Sequence, residues 1–385
     1  VRRAPKPTGV AISVLASTDP VLRESALAGL VLGSPTTVAV RHDLAIDDAL
    51  LRRIVIDATG VVEDEQVPLE HACLSCCVRE DAVPTLARLA ADGRWTDVVL
   101  ALPATAEPLP AVRALEVATG PDGALAGCRL ATTVAVTDLD AVEADLLGDT
   151  LCGERGLELA DDDERPIGEA SAAQLEQADL VVTTGASATG SGLVDRLRGV
   201  GTRRIDGLHG LNAHDLAAGR HDRAAAERRA HPLGARGGEG VGGAGPRVGR
   251  LGDRSWTLVL ESPRPFAPER LLRNVEGLGT GPIRARGIFR VANRPDSACL
   301  WDSAGGQTCI ADLGPWDLAA AGAAPQTRIC IVGAGDEKEA RALRERIVEA
   351  FFDALVTEVE AADGGLQWLG RADVLSPWLG DRSAA

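Results

Sequence analysis

Short, largely apolar runs alternate along this chain with stretches whose apolar residues recur every three or four positions. The run at 10–15 has the length and character of a buried strand, and 19–32 carries helical spacing behind Thr18 or Asp19 as the N-cap. The same criteria predict strands at 37–40, 54–57, 95–102, 129–136, 180–183 and 203–205, and helices at 78–89, 109–118, 171–178 and 191–198. Glu63-Asp64-Glu65 reads as an acidic loop. Buried strands interleaved with helices predict an α/β unit: a mostly parallel sheet covered on both faces, which receives ligands at the carboxyl ends of its strands. The pattern fades at 217–254, a stretch of Gly, Ala and Arg with few large apolar residues, which reads as a linker in which His221 and His231 are solvated. From 255 alternation resumes, with strands predicted at 255–261, 283–291, 299–302, 307–311 and 328–332 and helices at 268–275 and 337–355. The expected organisation is therefore a large α/β domain (1–216), a linker (217–254) and a smaller α+β domain (255–385). Cys299, Cys309 and Cys330 fall on the small domain's strands at no ligand spacing and read as core residues.

Composition narrows the functional classes. The chain has 385 residues with 45% hydrophobic content, enough for two cored domains. A net charge of −16 argues against general nucleic-acid binding through phosphates. No stretch approaches the roughly 18 apolar residues of a membrane span. Arg2, Arg3 and Lys6 precede a run too short for a leader, which Asp19-Pro20 ends. A cytoplasmic protein with no membrane partner is expected. Lys6 and Lys338 are the only lysines.

Candidate chemistry concentrates in His71-Ala72-Cys73-Leu74-Ser75-Cys76-Cys77, where three of the eight cysteines lie within five residues. Thiolates on a tight turn can converge on a soft or borderline metal, for which zinc is the usual occupant. The expected ligands are Cys73, Cys76, Cys77 and His71. The cysteines precede a predicted helix, whose N-terminal dipole is expected to lower their pKa. A redox pair and thiols packed in a core are the alternatives. No second C-x-x-C completes a four-cysteine cage, so the site is expected to be open or completed from elsewhere.

Beyond these residues the chain resembles the CobW-type GTPases, metallochaperones of the P-loop class. The likeness is carried by H-A-C-L-S-C-C-V-R-E-D at 71–81, T-D-V-V-L-A-L-P at 96–103 and Q-L-E-Q-A-D-L-V-V-T at 174–183. In the small domain it is carried by R-P-F-A-P-E-R-L at 264–271, R-A-R-G at 284–287, A-N-R-P-D at 292–296 and W-D-S-A-G-G at 301–306. Aligned on the family's Gly-Cys-x-Cys-Cys-Thr and Leu-Arg-x-Asp, Cys73 and Cys76 match the outer cysteines, while Arg79 and Asp81 match the tail and are expected to support the metal ligands. Ser75 replaces the middle cysteine, and Cys77 stands where Thr is usual. The resemblance implies a P-loop-NTPase-like sheet, a CobW C-terminal domain and zinc as the metal.

The family's nucleotide chemistry is not legible. A P-loop needs Gly-rich backbone around phosphates, a Lys to reach them and Ser or Thr for Mg²⁺. Residues 16–25, A-S-T-D-P-V-L-R-E-S, contain neither Gly nor Lys, and Asp19 and Glu24 repel phosphate. Thr183-Thr184-Gly185-Ala186 stands in place of Asn-Lys-x-Asp, and Pro103-Ala104-Thr105-Ala106 in place of the family's Glu-Thr/Ser-Gly stretch. A pseudo-GTPase without GTP or Mg²⁺ is expected. The variant resembles an actinobacterial subgroup that includes a factor recruiting a hibernation-promoting factor to ribosomes when zinc is scarce. That likeness implies a zinc-responsive, non-catalytic adaptor with the ribosome or a hibernation factor as partner. The alternatives are a GTP-dependent zinc metallochaperone and a zinc-buffering or thiol redox protein.

Overall fold

The computed structural model describes residues 9–45, 50–71, 73–234, 252–320, 322–363, 366–368 and 371–381. Two compact units emerge. The first comprises Val1–Ala141, Leu151–Ala186 and Arg198–Ala230, and the second Val142–Thr150, Ser187–Leu197 and His231–Ala385.

The strands are β1 (Ala11–Ala16), β2 (Thr37–Ala45), β3 (Leu50–Asp57), β4 (Gly60–Pro68), β5 (Asp97–Ala101), β6 (Arg129–Asp138), β7 (Leu180–Thr184) and β8 (Arg203–Asp206), followed in the second unit by β9 (Ser255–Ser262), β10 (Ile283–Val291), β11 (Arg294–Ala304), β12 (Gln307–Pro315) and β13 (Thr327–Ala334). The helices, in chain order, are α1 (Pro20–Leu32), α2 (Leu74–Cys76), α3 (Val83–Asp92), α4 (Pro108–Ala118), α5 (Val142–Leu147), α6 (Ile167–Gln177), α7 (Ala188–Leu197), α8 (Ala213–Ala218) and α9 (Arg223–Ala230). They continue with α10 (Pro268–Gly279), α11 (Trp316–Ala319), α12 (Glu337–Ala354), α13 (Glu358–Ala362) and α14 (Ser376–Leu379).

The first unit is built on an eight-stranded sheet of order β4-β3-β2-β5-β1-β6-β7-β8. Pairing is parallel from β2 to β8 and antiparallel where β3 and β4 extend the edge. Its central strands read as apolar because they are covered on both sides. Val98 and Leu100 of β5 pack with Val112 and Leu115 of α4 and Leu86 of α3, while Val99 and Ala101 join Leu27 and Leu30 of α1. The mostly parallel α/β architecture expected from the alternating pattern is present. The acidic stretch 63–65 is not a loop but the middle of β4, paired with β3. Asp64 and Glu65 are exposed on this edge strand and Glu63 is half-buried against Arg88, so the stretch lacks the apolar alternation that marks a strand in the sequence.

The second unit holds an antiparallel sheet of order β12-β11-β10-β13-β9. Leu271 and Leu278 of α10 and Ile347 and Phe351 of α12 close one face over Ile329 and Ile331. Aromatic rings fill the centre: Phe266 stands edge-on to Phe351 with centroids 5.4 Å apart, and Phe289 meets Trp301 at 6.0 Å. Cys299 and Cys330 are buried as expected, but Cys309 is exposed on β12.

The segment expected to be a linker from 217 begins as folded structure. α9 packs against α6, Arg113 holds Glu227 through paired bonds of 2.7 and 2.5 Å, and Arg229 bonds Asp179. His221 is buried rather than solvated, with Nδ1 3.0 Å from Asp179 Oδ2. In the second unit His231 is likewise engaged, its Nε2 2.6 Å from the Ala319 carbonyl. Charged side chains paired across elements secure the part in the first unit, which an absence of large apolar residues does not reveal. Residues 235–251 lie outside the described residues.

Candidate metal centre

The cysteine turn begins just past the end of β4. β3 runs against β2 and β4 against β3, so β4 ends on the same side of the sheet as β2, β5 and β1. The turn thus lies at the carboxyl ends of the parallel strands, where α/β sheets receive ligands.

Cys73 has extended backbone and caps α2, its Sγ accepting from Cys76 N at 3.5 Å. Sulfur is a weak acceptor, so this cap is loose. Cys76 Sγ stands 4.0 Å from His71 Nδ1, and Arg79 Nη2 approaches the same sulfur at 3.6 Å. Cys76 thus stands beside two of the other expected ligands, His71 and Cys73, and one of the two supporting residues, Arg79. Glu80, which the sequence reading did not single out, joins them: its carboxylate interacts with the Cys76 thiol and accepts from Glu70 N at 2.9 Å. It sits four residues after Cys76, a spacing that returns to the same side of a helix and could have revealed it.

Cys77 goes elsewhere. Its side chain is fully buried among Leu51, Leu69 and Cys76. Burial pushes its thiol up to about 12, with the neighbouring Cys73 and Cys76 adding to the rise. Burial also raises Cys76, reinforced by bonds to Cys73 and Glu80. The expected lowering by a helix dipole is not seen at these two thiols. Desolvation of the two sulfurs outweighs any help from the helical run that continues without a break from Leu74 through the π turn (Cys77–Ala82) to Asp92.

Asp81 also departs from its expected role. It is buried, accepting from His42 Nε2 at 2.8 Å and from Arg53. Burial works against its charge, but His42 and Arg53 together outweigh that and hold its carboxyl below the ordinary range. An ionised carboxylate only accepts, so His42 Nε2 carries the proton. Arg53 continues to Glu65 at 2.5 Å and Thr85 at 3.2 Å, tying the π turn to β2, β3, β4 and α3.

Two sulfurs and an imidazole nitrogen suit zinc. Ordinary Zn–S and Zn–N bonds in a tetrahedron place sulfur and nitrogen about 3.6 Å apart, close to the 4.0 Å between Cys76 Sγ and His71 Nδ1. Yet no group of three or more His, Cys, Asp or Glu side chains is assembled to hold a metal among the described residues. The donor types are those zinc takes, but holding it here would require these side chains to move together. Beside the turn, Leu74, Val78, Val83, Pro110 and Val117 line an apolar pocket of about 390 Å³ with Arg79 at its edge.

The β1–α1 connection at the same end of the sheet is only Ser17-Thr18-Asp19. Asp19 caps α1 through Val21 N and Leu22 N at 2.8 and 3.0 Å. Arg23, 3% exposed, donates to the Leu102 carbonyl at 2.7 Å and the His42 carbonyl at 3.2 Å, and it pairs with Asp43.

Residues 42–195 match the CobW/HypB/UreG nucleotide-binding domain, and residues 255–351 match the cobalamin synthesis protein cobW C-terminal domain. The first match starts at His42, past the β1–α1 connection. The chain is 29% identical over 303 residues to the zinc chaperone Rv0106 of Mycobacterium tuberculosis, covering 75% of this chain and 70% of that protein. It has the same identity and coverage with the uncharacterized protein Mb0109 of Mycobacterium bovis. Among solved structures, Zn(II)-bound YjiA GTPase from E. coli matches 89% of this chain and 99% of its own at 15% identity, with a TM-score of 0.33. No helix among the described residues is long and apolar enough to cross a membrane.

Proposed function

We propose that this chain is a zinc-handling protein of CobW architecture that binds the metal at Cys73 and Cys76, with His71 as the nearest further donor, and acts through a partner rather than through turnover. The observation that carries the proposal is the thiol pair at the carboxyl end of the sheet, with His71 Nδ1 4.0 Å from the Cys76 sulfur. The resemblance to a zinc chaperone along three quarters of the chain supports the choice of metal. An incompletely assembled site suits reversible loading: binding must draw His71, Cys73 and Cys76 together, which couples zinc to the shape of the turn. The apolar pocket beside that turn offers a partner a surface that such a movement alters.

Action without GTP turnover is supported by the three-residue β1–α1 connection and by Arg23, which occupies the space beside it. Phosphate would meet the Asp19 carboxylate there instead of a Gly-rich cradle. The partner we infer is the ribosome or a ribosome-associated hibernation factor, on the strength of the resemblance to the zinc-responsive actinobacterial subgroup. A GTP-dependent zinc metallochaperone is the second reading, favoured by the match of residues 42–195 to a nucleotide-binding domain.

Sucrose-gradient profiles of tagged protein from zinc-replete and zinc-starved cells test the adaptor. Wild type is expected to change its ribosome association with zinc status, whereas Cys73→Ser/Cys76→Ser does not follow. Residence at the top of the gradient under every condition removes the ribosome from the account. Calorimetry with GTP and Mg²⁺, with and without zinc, separates the second reading: saturable heat supports the GTP-dependent chaperone.

A further inference from the structure

The second unit contains a pocket of about 230 Å³ whose lining includes Pro263, Arg264, Arg290, Pro295, Glu360 and Trp368. Two arginines line it without an ion pair. Arg264 donates through Nη1 to the Val356 carbonyl at 2.9 Å. Arg290 makes one long side-chain bond, Nη1 to the Pro263 carbonyl at 3.4 Å, and its Nε is buried without a partner. Neither guanidinium has a carboxylate within ion-pair distance among the described residues.

The pocket's own acid is already engaged. Glu360 accepts from Arg270 Nη2 at 2.5 Å and from Thr357 N at 2.7 Å. The bond from Arg270 holds its carboxyl at about 2, so its charge is permanent and satisfied. Glu360 is thus neutralised by Arg270, and Glu269 accepts from the Trp368 indole at 3.1 Å, which leaves Arg264 and Arg290 as the lining cations without an ion pair. Burial lowers the pKa of Arg290, and the charge of Asp296 opposes that without forming an ion pair. Half-buried cations supported only by carbonyls keep unused donors, which a bound anion satisfies.

We propose that this pocket binds a carboxylate carried on an apolar body. Each guanidinium keeps N–H groups free beyond its carbonyl bond, and arginine's planar fork matches a carboxylate. The remaining walls, Pro263, Pro295, Trp368, Val356 and Ala361, are apolar and suit the ligand's hydrocarbon part. A phosphate dianion fits less well. It calls for more donors than two partly engaged guanidiniums supply, and it would feel greater repulsion from Glu360.

Titration of the full-length ¹⁵N-labelled chain with N-acetylleucine, N-acetylleucinamide and inorganic phosphate tests the site through the Trp368 indole resonance, assigned with Trp368→Phe. The acid is expected to shift it saturably and the amide at least tenfold more weakly. Arg290→Gln is expected to weaken the acid at least tenfold, while Arg346→Gln leaves it unchanged. Equal binding of acid and amide, tighter binding of phosphate, or no saturable shift overturns the proposal. The acid–amide comparison decides even where Arg290→Gln fails to fold. A leucine-ended tetrapeptide that competes with N-acetylleucine assigns the carboxylate to a polypeptide terminus, whereas failure to compete assigns it to a free small acid.

Discussion

Two turns at the same end of the large sheet treat their polar groups in opposite ways. The β1–α1 turn is closed by its own side chains: Asp19 satisfies two helix N–H groups, and Arg23 bridges the carbonyls of His42 and Leu102 and the carboxylate of Asp43. The cysteine turn is loosely closed, its cap a sulfur 3.5 Å from Cys76 N and its imidazole 4.0 Å from the second sulfur. Strong internal bonds leave little for a ligand to gain, whereas weak ones are readily exchanged for bonds to a metal. One sheet end can thus carry a sealed site and an open one a few strands apart.

The largest test of this contrast lies on the sealed side. Arg23→Ala removes a buried cation and strands its acceptors, and is expected to cost ~3 kcal/mol in a urea melt. A loss well under 1 kcal/mol would show that Arg23 does not seal the turn. Next comes Cys77→Ser, which places a hydroxyl in an apolar cluster and is expected to cost about 2 kcal/mol while leaving zinc affinity unchanged in a chelator competition assay. Loss of zinc binding with Cys77→Ser would make Cys77 a ligand after all.

The pH dependence of zinc binding sharpens the open side. Burial raises the Cys76 thiol, so it is protonated near neutrality and must release that proton to bind metal. Below the thiol pKa, affinity is expected to rise about tenfold for each pH unit this proton controls. A flat profile between pH 6 and 8 would mean that Cys76 is not a ligand. The smallest expected effect is Asp19→Ala, about 1 kcal/mol for a lost N-cap, read by thermal melting.

What the sequence revealed follows from which residues carry a periodic signal. β1, β5, β6 and β7 are buried on both faces, so their apolar runs located them within a residue or two. β4 was missed because a solvated edge strand has no apolar face to display. α9 was missed because Arg113–Glu227 and Arg229–Asp179 pairs help hold it, and pairing across more than 45 positions leaves no local trace. The cysteine spacing placed Cys73 and Cys76 in one turn. It could not separate Cys77 from them, because adjacent residues in a winding chain face in different directions. Nor did it show that Asp81 turns inward, since its partners lie on β2 and β3.

The π winding of Cys77–Ala82 carries one further consequence. Each residue of an ordinary helix advances the rotation by about 100°, and a π turn spends roughly one residue more on the same rotation. Angular phase between the sulfurs upstream and the Asp81 anchor downstream is therefore a matter of chain length. Deleting a single residue here and letting the segment relax to ordinary winding would keep the sulfurs in phase with the helix that follows, whereas relaxing to ordinary winding at the present length would swing Cys73 and Cys76 around the axis by about 100°. A one-residue gap at this point, accompanied by ordinary winding, therefore leaves two otherwise matching motifs with their sulfurs facing the same way.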